Sequence, residues 1–117
     1  MDNQTKEIIF LVRGSNPEPY KIRFIKNDLF FAAFCSCPAG KKGMHCKHRI
    51  NILTGSVDAI VSDNIEEVAT IKKWLIGTPI EEAIQLFKST EKEYLSAKKA
   101  STKAKKNLSK ALRGEEP

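Results

Sequence analysis

Cys35-Ser36-Cys37-Pro38-Ala39-Gly40-Lys41-Lys42-Gly43-Met44-His45-Cys46-Lys47-His48 holds all three cysteines and both histidines of the chain. Three thiolates and one imidazole form the donor set of a closed, tetrahedral, structural zinc site. One residue separates Cys35 from Cys37, and one separates Cys46 from His48; common zinc fingers place about two to four there. Side chains at i and i+2 leave the same side of an extended backbone. On an α-helix they would stand about 200° apart. The spacing therefore predicts that Cys35 and Cys37 end a strand, and that Cys46 precedes a helix begun by His48. His45 adjoins Cys46 and is the one competing histidine.

Other uses of the cysteines fit less well. Their number is odd, and a bridge between Cys35 and Cys37 would close a small strained ring. The start Met-Asp-Asn-Gln-Thr-Lys-Glu lacks a basic region followed by an apolar stretch, so secretion is not expected. A cytoplasmic location, or a nuclear one in a eukaryote, is. In reducing surroundings such a cluster binds metal more often than it bridges. A catalytic thiol needs a base and an orienting group, and gives no reason for three cysteines to gather.

The pattern Cys-x-Cys, a short spacer, then Cys-x-His resembles the SWIM zinc finger family. The wording Cys35-Ser-Cys37-Pro38, then Gly43-Met-His-Cys46-Lys47-His48, then the apolar Ile50, Ile52 and Leu53 carries the likeness, which spans roughly residues 20 to 55. The resemblance implies a ββα arrangement and one structural Zn2+ held by Cys35, Cys37, Cys46 and His48. It also implies binding to DNA or to a protein, without saying which. Both the family pattern and the helix start favour His48 over His45.

Ile8-Ile-Phe-Leu-Val12 reads as a buried strand, and Gly14-Ser-Asn-Pro-Glu-Pro19 as a turn. Tyr20 to Lys26 alternates, with Tyr20, Ile22 and Phe24 on one face. Asn27-Asp28 is a hairpin turn, from which Leu29 to Cys35 returns as a third strand. Phe24, Phe30, Phe31 and Phe34 are expected to cover sheet and helix. Between the ligand pairs, Gly40 and Gly43 allow a tight loop. Ser56 to Ser62 is ambiguous and admits a short helix.

Asn64 to Leu75 has helical spacing in Ile65, Val68, Ile71 and Leu75, with Gly77 as its end and Trp74 as a core or interface anchor. Thr78-Pro79-Ile80-Glu81 is a helix start: a capping Thr, Pro in the first turn, and Glu three residues after the cap. Nothing stops that helix before Arg113. Its first half carries Ile80, Ile84, Phe87, Tyr94 and Leu95. Its second half sets Lys98, Lys99, Lys103, Lys105, Lys106, Lys110 and Arg113 against a seam of Ala97, Ala100, Ala104, Leu108 and Ala111. The expected class is α+β: about three antiparallel strands and a zinc finger over 1–55, a helical region over 56–113, and a disordered end over 114–117.

At 117 residues and 41% apolar content, a modest core is expected, so the metal should matter to stability. The longest apolar runs fall far short of the ~20 residues of a membrane span, so no membrane partner is expected. The net charge of +6 favours polyanions or acidic protein surfaces. Lys41, Lys42, Lys47, Arg49, Lys98, Lys99, Lys103, Lys105 and Lys106 are candidate contacts to nucleic acid phosphates, although the basic residues near the finger also offset its excess thiolate charge. Trp74, Ile80, Ile84 and Phe87 are candidate contacts for a protein partner or a second copy. The leading expectation is a non-catalytic zinc protein binding DNA. The alternative is an interaction adaptor, of mobile-element or bacteriophage origin given its small size. Four protein donors leave the metal no open position for water, so no enzyme activity is expected.

Overall fold

Tyr20, Ile22 and Phe24 take the inner face of the middle strand, and the fold is built around them. The computed structural model describes residues 4–115. Strands β1 (Lys6–Val12), β2 (Tyr20–Lys26) and β3 (Phe31–Cys35) form an antiparallel sheet in the order β1-β2-β3. The first register runs from Lys6↔Lys26 to Val12↔Tyr20, the second from Ile22↔Cys35 to Lys26↔Phe31. Then follow α1 (Pro38–Lys41), α2 (Lys47–Leu53), a 3-10 turn at Ile65–Glu67, α3 (Val68–Leu75) and α4 (Pro79–Leu112). The class is α+β, three antiparallel strands followed by helices.

One sheet face is core. Ile8, Phe10, Val12, Tyr20, Ile22, Phe24, Phe31 and Cys35 are buried there, joined by Ile52 and Leu53 of α2 and by Val68 and Ile71 of α3. The aromatic rings link in series. Phe10 meets Phe24 edge-on at 5.9 Å, Phe24 stacks on Phe31 at 6.1 Å, and Phe31 meets Trp74 edge-on at 6.3 Å. Such offset and edge-on pairs suit the ring quadrupoles. Trp74 is thereby half-buried.

Three expectations are corrected. The β1 run is not buried throughout, since Leu11 is exposed on the outer face. The third strand begins at Phe31, not Leu29, because the Asn27 side chain captures the amides of Leu29 and Phe30 at 2.8 and 3.0 Å. An Asx-type turn of this kind competes with the ladder for the same amides. Phe30 and Phe34 are not core residues; they are 47% and 53% exposed. The cause is alternation, because Phe31 and Cys35 already face inward.

The stretch after α2, ambiguous in sequence, covers a sheet edge. Residues 56–62 form no helix and instead run along the edge of β1. Arg13 donates its amide to the Ala59 carbonyl, Val61 donates to the Leu11 carbonyl, both at 2.8 Å, and Val12 bridges Ile60. Ser62 Oγ accepts from the Leu11 amide at 3.1 Å, and Asn64 Nδ2 donates to the Ile9 carbonyl at 2.8 Å. An open strand edge invites foreign pairing, and this segment covers it. By its contacts the chain divides into two compact units, 1–82 and 83–117.

Helix α4 starts as its capping residues dictate. Thr78 Oγ1 accepts from the Glu81 amide at 3.3 Å, while the Glu81 carboxylate accepts from the Gly77 amide at 2.9 Å. Gly77 takes a φ of +78°, which lets the chain leave α3 and begin α4. From Gln85 to Leu112 every residue of α4 is exposed. Of the expected disordered end, Gly114 and Glu115 are described, the latter paired with Arg113 at 2.7 Å, and residues 116–117 lie outside the described part. Among the described residues, no helix is long and apolar enough to cross a membrane.

Candidate metal centre

Ser36 is held between two ligands by both of its hydrogen bonds to β2. Its amide donates to the Lys21 carbonyl at 3.0 Å, and its hydroxyl accepts from the Lys21 amide at 2.9 Å. The ladder thus runs past the end of β3 and keeps Cys35-Ser36-Cys37 extended, which puts both sulfurs on one side. Pro38 then opens α1, with Cys37 as its cap: Cys37 Sγ accepts from the Gly40 amide at 3.3 Å. Cys46 stands in the same relation to α2, extended and immediately before Lys47. His48, in the first turn of α2, directs Nδ1 to within 3.9 Å of Cys35 Sγ.

The donor atoms of Cys35, Cys37, Cys46 and His48 all lie within 4.8 Å of one another. In a tetrahedral zinc site with bonds of about 2.3 Å to sulfur and 2.0 Å to nitrogen, neighbouring donors stand about 3.5–3.8 Å apart. The cluster needs only a small contraction to reach that shape. The three cysteines are buried and His48 is half-buried. Soft thiolates and an imidazole in a closed group suit Zn2+, and these residues form a metal-binding cluster of zinc-finger type. His45 is exposed and is not among the four donors.

Two close approaches constrain the knuckle. A Cβ on Gly40 would meet the Cys35 carbonyl oxygen at 2.2 Å, so only glycine lets α1 fold back against the end of β3. Gly43, with φ of +75°, turns the chain toward Cys46. On the other side of the site the Tyr20 ring lies 5.0 Å from the His48 imidazole, and Ser15 Oγ is 3.1 Å from the Tyr20 hydroxyl. The first hairpin loop therefore reaches the site through Tyr20.

Arg49, expected among the basic residues that either offset the thiolate charge or meet phosphates, is engaged at the cluster itself. Its Nε donates to Cys46 Sγ at 3.2 Å and one terminal nitrogen donates to the Ala33 carbonyl at 3.1 Å. The other terminal nitrogen reaches the Met44 carbonyl. One guanidinium thus ties a ligand, β3 and the knuckle together. A signal was present: Arg49 lies three residues after Cys46, at the start of a helix, and side chains at i and i+3 stand on the same helical face.

The electrostatics follow. Burial pushes the Cys35 thiol up to about 12, reinforced by the neighbouring thiols. Burial also raises Cys46, but hydrogen bonds and charge from Arg49 outweigh it and bring that thiol below its ordinary 9.0. Burial, with the charges of Lys47 and Arg49, lowers His48 below 6.5, which favours the neutral imidazole that binds metal.

The other candidate residues are dispersed. Lys41, Lys42 and Lys47 are exposed around the knuckle, and Lys98, Lys99, Lys103, Lys105 and Lys106 are exposed along α4. Ile80 and Ile84 are half-buried, and Phe87 is 38% exposed. Comparison with known protein families, with curated proteins and with solved structures returned no match.

Proposed function

We propose that the chain is a non-catalytic zinc protein of SWIM type that binds nucleic acid through its phosphates, with α4 as the principal contact. The observation that carries this reading is the charge distribution of residues 96–113. They hold seven basic residues and no acidic one, and all are exposed. Removing those seven charges from the net +6 leaves the rest of the chain at −1, so the basicity of the protein resides here. At about 100° per residue, Lys98, Lys99, Lys103, Lys105, Lys106, Lys110 and Arg113 fall within an arc of about 160°, opposite the seam Ala97, Ala100, Ala104, Leu108 and Ala111. A one-sided, single-signed rod about 27 Å long suits a polyanion.

The SWIM assignment rests on the one-residue spacing of both ligand pairs and on the strand, knuckle and helix that carry them. Absence of catalysis rests on the donor set, since four protein ligands fill a tetrahedral shell. Arg49 contributes little to phosphate binding in this reading, because its donors are engaged at the metal cluster.

Fluorescence anisotropy against a labelled duplex at several salt concentrations tests the proposal. Each phosphate contact contributes about −0.9 to the slope of log affinity against log salt, so K103Q/K105Q/K106Q should flatten that slope by about 2–3. An unchanged slope refutes the assignment to α4. The adaptor reading is favoured by one observation, the exposure of Leu86, Tyr94 and Leu95 in the first half of α4. A dimer or protein complex disrupted by L86E/L95E would support it.

A further inference from the structure

The outer face of the sheet carries an aromatic ring among cations. Alternation turns Ile9 and Leu11 of β1, Lys21 and Arg23 of β2, and Phe34 of β3 away from the core. In the ladder Ile9, Arg23 and Phe34 stand abreast. The Arg23 guanidinium carbon lies 6.0 Å from the centre of the Phe34 ring, which is half exposed. Lys21 follows on the same face, about 6.7 Å along the strand from Arg23. Glu7 is the acid on this face, and its carboxylate accepts from Arg23 Nε at 2.5 Å. It holds the guanidinium over the sheet without balancing Lys21.

We infer that this face is a platform for single-stranded nucleic acid, on which an unpaired base stacks against Phe34 while Lys21 and Arg23 meet the flanking phosphates. The inference rests on the nucleic-acid reading but assigns a different surface and a different strand form. Open sheets read unstacked bases by laying them on displayed aromatic rings, and one ring such as Phe34 can take a base of any identity, because every base has a face that stacks. A duplex hides those faces. With Glu7 paired to Arg23, the net positive charge of the face is that of Lys21, and the terminal donors of Arg23, which that pairing does not use, add hydrogen bonds that suit a phosphate better than a neutral peptide. A peptide adding itself as a strand to β1 is disfavoured, because residues 59–64 already occupy that edge. No spacing rule in the sequence brings Phe34 beside Arg23; the β2–β3 register does.

The test uses the full zinc-bound chain, with zinc content measured on every variant as a control for folding. Anisotropy titrations compare a labelled 12-residue oligothymidylate with a 12-base-pair duplex. Phe34→Ala should weaken oligothymidylate on the order of tenfold and leave the duplex within about twofold. Phe34→Trp should retain single-strand binding. Equal affinity of Phe34→Ala and the parent chain for oligothymidylate overturns the platform, and so do equal losses on both probes. In either case the α4 reading stands if K103Q/K105Q/K106Q still weakens the duplex. Loss of oligothymidylate in Phe34→Ala, together with no effect of the triple variant on duplex binding, supports the platform and overturns the α4 reading. If neither probe binds the parent chain, both readings are overturned.

Discussion

Arg49 donates from Nε to Cys46 Sγ at 3.2 Å while a second nitrogen of the same guanidinium holds the Ala33 carbonyl at 3.1 Å. A thiolate that would otherwise be buried with no compensating charge receives both a hydrogen bond and a cation. Partners of metal ligands commonly contribute tenfold to a hundredfold in metal affinity. Arg49→Gln should therefore lower zinc affinity by about that factor, measured by competition with a chromophoric chelator. An unaltered affinity would show the contact to be incidental.

The ligand set is tested by stoichiometry. Cys35→Ser and His48→Ala should lose bound zinc and loosen residues 20–55, seen as faster amide exchange there, because metal binding and folding are one equilibrium in small sites. His45→Ala should keep one zinc per chain. Zinc retained in His48→Ala and lost in His45→Ala would reverse the assignment.

Gly40→Ala is expected to be severe for so small a change. Its Cβ would lie 2.2 Å from the Cys35 carbonyl oxygen, which is backbone and cannot swing aside. Overpacking of this kind costs about 1–3 kcal/mol. A fall in the melting temperature of the zinc form of at least about 4 °C, together with weaker zinc binding, is the outcome to look for.

Zinc affinity should rise with pH. Cys35, pushed up to about 12, is a thiol near neutrality and must release its proton to the metal. Each proton displaced contributes about tenfold in affinity per pH unit. His48 lies below 6.5, so it adds to the slope only under more acidic conditions. The sign for the metal-free chain agrees. The unfolded chain takes up the His48 proton first, so this contribution to stability is complete above 6.5 and is lost as pH falls. Isothermal titration in buffers of different ionisation enthalpy counts the released protons, and a count of zero contradicts the argument.

Asn64 links the cover segment to the sheet. Its Nδ2 donates to the Ile9 carbonyl and to Glu67, and its Oδ1 accepts from Ser62. Asn64→Ala should cost about 1–3 kcal/mol, since part-buried partners lose their bonds. Urea denaturation would measure it, and faster amide exchange at Val61 would place the damage at the β1 edge.

The metal cluster and the start of α4 were legible because both are local. Donor chemistry and one-residue spacing act within a few bonds, and Thr78-Pro79-Ile80-Glu81 caps its own helix. The sheet was legible in its strands but not in its faces. Along β3, the sets Phe30, Ala32, Phe34 and Phe31, Ala33, Cys35 are about equally apolar, so alternation states which residues travel together but not which set is buried. The path of residues 56–64 was illegible for a related reason, since its bonds are to β1, far away in sequence.

From the sequence alone came a Cys35, Cys37, Cys46, His48 donor set, the strand and helix that present it, and a long basic helix. These depend on contacts between near neighbours. Tertiary structure decided that Arg49 turns inward to Cys46, that Phe34 turns outward beside Arg23, and that residues 59–64 seal the sheet. The reason is register: pairing β3 so that Cys35 faces Ile22 buries one side of the strand and leaves the other to solvent.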